Sequence, residues 1–316
     1  MNLNKLIYSG LFTVTLMANS RAQTPSDAVL MQPGQFCGGV FYTYSSASEY
    51  WQGDSLIENG NVGTLTGQTV AAGFALGIIK NLNVYANMPF VKFSPSDGYV
   101  EANAGFQDFL IAAKYQLLDK QLGIGKLQAL VSATGTFPAT DYIPEHPYAI
   151  GLGCIDGIGR AIVAYRTDMG VFAKAQAGYH LRGNCALVRG YYFTDDQAYN
   201  TNIVDMPNAF DYSATLGYIT KDNITFKAEA EFSMFNTLGG FDIRPWDQGF
   251  PSNEMDAMRI GANFQYIPEF AKGIGLHANT SYTLDGRNIW KTFSVGGGIT
   301  YFFNIWNKKG EETPAE

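Results

Sequence analysis

The period of the apolar residues limits this chain more than any other feature. Between Phe36 and Phe303 apolar side chains return at every second position, in runs longer than the ~5–6 residues of an ordinary soluble strand. In 69–79, Val70, Ala72, Phe74, Leu76 and Ile78 share one face, while Thr69, Ala71, Gly73, Ala75 and Gly77 share the other. In 106–118 the apolar face is Phe109, Ile111, Ala113, Tyr115 and Leu117, opposed by Asp108, Lys114 and Gln116. Ala173, Ala175, Ala177 and Leu181 oppose Lys174, Gln176, His180 and Arg182, and Phe226, Ala228, Ala230 and Phe232 oppose Lys227, Glu229 and Glu231. Successive side chains on a strand point to opposite faces, so each such run has one apolar face and one polar or small face.

Runs of this kind also occupy 81–93, 126–138, 257–266, 274–282 and 291–303, with weaker ones at 36–46, 150–166 and 210–220. Together they make about twelve strands, an even number, as single-chain bacterial barrels require. The connections alternate in length. Those at Lys80, 119–125, 167–170, 221–223 and 267–273 are short; those at 47–68, 94–105, 139–149, 183–209 and 238–256 are long, and a final tight hairpin lies at 285–288. Short turns on one side and long loops on the other predict an all-β, transmembrane antiparallel β-barrel over 35–303, with both termini on the short-turn side and a tail at 304–316. The composition fits that reading: 16% charged residues, 14% aromatic and 35 glycines are a poor basis for a soluble two-domain enzyme of 316 residues. Tyr115, Tyr179, Tyr218, Tyr266, Tyr282, Tyr301, Phe303 and Trp306 fall near strand ends, where aromatic girdles sit.

The N-terminus reads as a signal peptide over 1–22, with Lys5, an apolar run from Leu6 to Met17, and Ser20-Arg21-Ala22 at the cleavage site. A short N-terminal helix or leader at 23–34 follows. Thr24 is placed to cap a helix and Pro25 to begin it, and Pro33-Gly34 ends it, either as a small periplasmic plug or as a mobile leader. The formal net charge of −7 excludes electrostatic binding of nucleic acid. Cys37, Cys154 and Cys185 are too dispersed for a zinc site or a disulfide framework and read as three unpaired thiols, with one pair plus an odd thiol as the alternative.

If one face lines a lumen, its candidate transport residues are Asp108, Lys114, Lys174, His180, Arg182, Lys227, Glu229, Glu231, Arg259 and His277, with Lys126 and Asp211 beside them. Both signs occur, so many are expected to pair across the lumen and brace it. No cofactor, metal site or catalytic residue is expected. His146, His180 and His277 lack a recognisable serine partner, and Asp195-Asp196 and Asp242 read as solvated loop carboxylates rather than a calcium site.

The run Gly105-Phe-Gln-Asp108-Phe-Leu-Ile-Ala-Ala-Lys114-Tyr115, with Asn87-Met88-Pro89-Phe90 before it and Gly151-Leu-Gly153 and Ala177-Gly178-Tyr179 after it, resembles the outer-membrane transporter family associated with phenol meta-pathway degradation. Members of that family are similar to the long-chain fatty-acid transporter barrels. The resemblance implies passive uptake of small hydrophobic or aromatic molecules across the bacterial outer membrane, with outer-membrane lipid and the solute as partners. The segment before the first strand is far too short for the large hatch of the fatty-acid transporters. A barrel with an occluded lumen serving structure or surface interaction is the alternative, and an outer-membrane lipid hydrolase a more distant one. The sequence leaves the oligomeric state open.

Overall fold

The computed structural model describes residues 24–306 apart from 59, 61, 100, 147, 195–196, 221–224, 243–252 and 272. The signal peptide at 1–22, Asp195-Asp196 and residues 307–316 of the expected tail therefore lie outside the described residues. Twelve long strands are present: β1 Gln35–Ala47, β2 Leu65–Ile79, β3 Leu82–Pro95, β4 Phe109–Leu122, β5 Gly125–Phe137, β6 Asp156–Thr167, β7 Val171–Arg182, β8 Ala209–Ile219, β9 Phe226–Thr237, β10 Asp256–Tyr266, β11 Ile274–Arg287 and β12 Phe293–Asn304. Each pairs antiparallel with its sequence neighbours, and β1 pairs with β12 from Gln35↔Asn304 to Ser46↔Phe293, which closes the sheet into a barrel. Closure leaves no open ladder edge, and this is what permits a sheet to stand in hydrocarbon.

The alternation sets the two surfaces. Val40, Val70, Phe74, Ile111, Leu117, Val163, Leu216, Phe232, Ile260, Phe264, Val295 and Ile299 all point outward and are exposed. In water this would be a large aggregation-prone surface; in a bilayer it is the solvated face. Tyr115, Tyr218, Tyr266, Tyr301, Phe303 and Trp306 are exposed toward the short-turn end, as expected of an aromatic girdle. The inner wall is uneven. Gly296 and Gly298 of β12, Gly39 of β1 and Ala71, Gly73, Ala75 and Gly77 of β2 form a low region, and the Phe41 ring lies over its cross-strand partner Gly298. A Cβ on Gly298 would come within 2.3 Å of that ring, so the glycine is needed there to seat it.

Residues 24–34 do not form the expected helix. They make a turn and an extended lead into β1, and no helix occurs among the described residues. Asp27 draws the turn together, its carboxylate accepting the N–H of Thr24 at 2.6 Å and of Val29 at 2.9 Å. The segment then runs inside the wall. Leu30 packs on Leu130 and Ile162, and Met31 is buried among Cys37, Ala75, Tyr85, Ala112 and Phe302. Gly34 donates its N–H to Gly77 O at 2.8 Å. A helix of this length would gain few internal bonds, whereas the lumen offers partners for its carbonyls.

At the opposite end the long connections carry their own short pairings. Asn103–Phe106 extends the ladder beside β3, and Glu49–Gln52 pairs with Ser55–Glu58, Asn184–Ala186 with Ile203–Asp205, and Tyr192–Thr194 with Gln197–Tyr199. Trp51 packs with Ala257 and Ile289, and against Phe235, over the mouth. Val62, Leu65 and Tyr148 cluster with Phe93 and Trp290, and Cys154, Cys185, Leu187 and Val204 form another small core. All three cysteines are free and buried.

Candidate lumen site

The charged residues on the inner wall fall into two groups. Near the short turns, Lys114 of β4 is fully buried and reaches the N-terminal segment. Its ammonium donates to Asp27 Oδ1 at 2.5 Å and to the carbonyls of Thr24, Asp27 and Val29 at 2.8, 3.1 and 2.9 Å. An ammonium has three protons, so these four acceptors share them, and the tight pairing with a carboxylate offsets the cost of burying the charge. Burial alone would raise the Asp27 carboxyl, but the nearby Lys114 and more distant Lys227 charges, together with the hydrogen bonds from Lys114 and Thr24, hold it below the usual carboxylate range. Lys174 adds a bond to Ser26 O at 3.1 Å and lies 3.7 Å from Glu231; Lys227 pairs with Glu229 at 2.9 Å.

Nearer the loops, His180 of β7 bridges two carboxylates, Asp156 at 2.7 Å through Nδ1 and Asp211 at 2.9 Å through Nε2. Arg160 reaches Asp211 at 2.6 Å, and Arg182 lies 4.0 Å from Asp156 with its guanidinium over the Phe235 ring. Gly178 makes room for this group, since a Cβ there would meet Asp211 Oδ2 at 2.2 Å. His277 faces inward between Phe41 and the Thr300 hydroxyl, 2.9 Å from Nε2. Both ring nitrogens of His180 thus face carboxylates, and Nε2 of His277 faces a threonine hydroxyl.

The alternation places Asp108 on the inner face of a strand that includes 106–118, and the strand is interrupted between Phe106 and Phe109. Asp108 accepts from the Tyr142 hydroxyl and, at 3.3 Å, from the N–H of Leu152; Gly153 N–H donates to the same hydroxyl at 2.9 Å. It ties down the 138–155 connection. Lys126 is exposed at the short-turn rim. Asp242 is held by Arg287 and by Asn288 at 2.6 Å. Sequence reasoning missed Asp27, Asp156 and Arg160. The even-numbered positions of 156–166 carry Asp156 and Arg160 on one face, and that parity was the available signal.

Above the N-terminal segment lies a cavity of about 490 Å³. Phe41, Ala71, Ala75, Tyr85 and Leu110 form an apolar side, Lys174, Lys227, Glu229, Glu231 and His277 a charged side, and Thr24, Pro25, Ser26 and Asp27 border it from the N-terminal segment. A gap of about 60 Å³ beside Val29, Gln128, Phe172 and Lys227 separates the segment from the wall.

Closed ladder, apolar outer band and polar lumen define a transmembrane β-barrel of narrow bore. The chain is similar in fold to an outer membrane channel from Pseudomonas putida F1, at 13% identity and a TM-score of 0.69, over 89% of this chain and 100% of that one. It matches the translocator domain of the autotransporter NalP from Neisseria meningitidis less closely, at 15% identity and a TM-score of 0.47, over 86% of this chain and 90% of that one. No family model matches the sequence, and neither does any curated protein.

Proposed function

We propose that this chain is a bacterial outer-membrane channel through which small hydrophobic or aromatic molecules enter passively. The observation that carries the reading is the two-sided cavity: one wall of small and aromatic side chains beside another of paired charges, in a space of about 490 Å³ that matches a small solute rather than a polymer. Lys174, Lys227, Glu229, Glu231 and His277 border this cavity, and the pairing of Lys174 with Glu231 and of Lys227 with Glu229 favours a fixed wall over a titrating catalytic group. The resemblance noted above supports the same solute class. Protein reconstituted in proteoliposomes should admit a small aromatic hydrocarbon faster than a sugar of similar mass; equal rates would reduce it to a general pore.

A second reading is favoured by the N-terminal segment. It fills the short-turn end while Trp51 and Tyr148 pack over the other, an arrangement that also suits an occluded barrel serving structure or surface interaction. Absence of both conductance and solute flux in reconstituted protein would select that reading.

A further inference from the structure

We infer that the loop-side half of the lumen holds a carboxylate-binding subsite centred on Arg259. A cavity of about 230 Å³ is bordered by Arg160, Gln176, Ser213, Glu231, Ser233 and Arg259. Each carboxylate at its rim already has a cation: Asp211 lies between Arg160 and His180, and Glu231 lies 3.7 Å from Lys174 and accepts from the Thr215 hydroxyl at 3.2 Å. Arg259 has neither an ion pair nor a hydrogen bond among the described residues and its side chain is exposed beside this cavity, so its guanidinium is available to an anion.

One other donor borders this cavity. Ser213 accepts from Gln176 Nε2 at 2.8 Å, which leaves its own O–H free to donate. The wall is also irregular here: the β10–β11 register shifts between Met258, opposite Asp285, and Arg259, opposite Thr283, and such bulges re-aim side chains.

The planar fork of a guanidinium matches the two oxygens of a carboxylate. Asp211 and Glu231 at the rim oppose a dianion such as phosphate, so a monoanion fits better. Because Glu231 also borders the larger cavity, an organic acid held by Arg259 can place an apolar body toward Phe41 and Leu110. The subsite thus selects small aromatic or alicyclic carboxylic acids, a conclusion that rests on the lumen being a solute path.

The test uses the whole protein in detergent micelles, titrated calorimetrically with benzoate and with benzyl alcohol, in wild type, R259Q and R259K. Benzoate should bind more tightly than the alcohol, and R259Q should weaken benzoate on the order of tenfold or more while leaving the alcohol unchanged. R259K, with a point charge in place of the fork, should fall between them. Heat-modifiable gel mobility reports whether each variant folds, and if R259Q does not, a loss of benzoate binding in folded R259K carries the test. Unchanged benzoate affinity in a folded variant, or equal binding of acid and alcohol to wild type, overturns the proposal. Flux of each solute in proteoliposomes is measured separately: binding without flux defeats the channel reading but leaves the subsite standing.

Discussion

The Lys114 ammonium lies 2.5 Å from the Asp27 carboxylate, in the lumen and almost wholly out of solvent, with side-chain exposures of 0% and 9%. This contact joins the wall of the fourth strand to a segment that precedes the first, and three main-chain carbonyls of the same segment converge on the ammonium. Removing one member of a buried pair strands the other and typically costs about 3–5 kcal/mol. K114M should therefore release residues 24–34 while the barrel stays closed. Its signature is faster protease cleavage near Thr24 and larger single-channel conductance; a variant with wild-type conductance and protection would show that the apolar contacts of Leu30 and Met31 suffice.

Acid should release the same segment only below the ordinary carboxylate range. The folded Asp27 carboxyl is held below its usual value, so its contribution is fully present above about 4, the unfolded value, and is lost as pH falls through the lower folded one. Conductance recorded from neutral pH downward should stay flat through pH 5. A rise already at pH 5–6 would assign the gate to another group.

Gly77 tests the fit of the segment without touching its charges. A Cβ there would sit 2.2 Å from Gln32 O and 3.1 Å from Met31 O, contacts that main chain cannot relieve by rotation. G77V should expel residues 31–34 from the wall and increase conductance, with heat-modifiable mobility retained. Unaltered conductance would mean that the segment shifts to accommodate the side chain.

Leu216 and its neighbour Thr215 separate the two surfaces. Leu216 is 68% exposed on the outer face and Thr215 is 2% exposed on the inner one. If lipid is the outer solvent, L216R should lower unfolding stability in bilayers by about 2–4 kcal/mol if the residue lies near the midplane, whereas T215S should change it little. Urea titration of vesicle-folded protein measures both.

Cys154 and Cys185 should be inert in the folded protein. Burial pushes their thiols up to about 11 and about 12, and thiolate is the reactive form. Neither should take up N-ethylmaleimide at pH 7.5 until denaturant is added, as read by mass spectrometry; labelling of native protein would show that the loop core around them opens.

The fold was legible because strand geometry writes itself into sequence: a face in lipid must be apolar at every second position, and a tilted span must be long. The positions of Lys174, His180, Lys227, Glu231 and His277 on the inner face followed from that parity alone. The parity did not show the interruption of the strand at 107–108, where Asp108 accepts hydrogen bonds from Tyr142 and Leu152 of a distant connection.

What the sequence determined by itself, then, was which way each side chain of a continuous strand faces, since that depends on neighbours one and two residues away. Tertiary structure decided which facing groups meet. Asp27 finds Lys114 because the N-terminal segment turns back into a closed ring, and His180 bridges Asp156 and Asp211 because β7 is registered between β6 and β8. Arg259 is left without a carboxylate for the same reason. Pairing across a lumen depends on register, closure and distance, and none of these is encoded in the local alternation of apolar and polar residues.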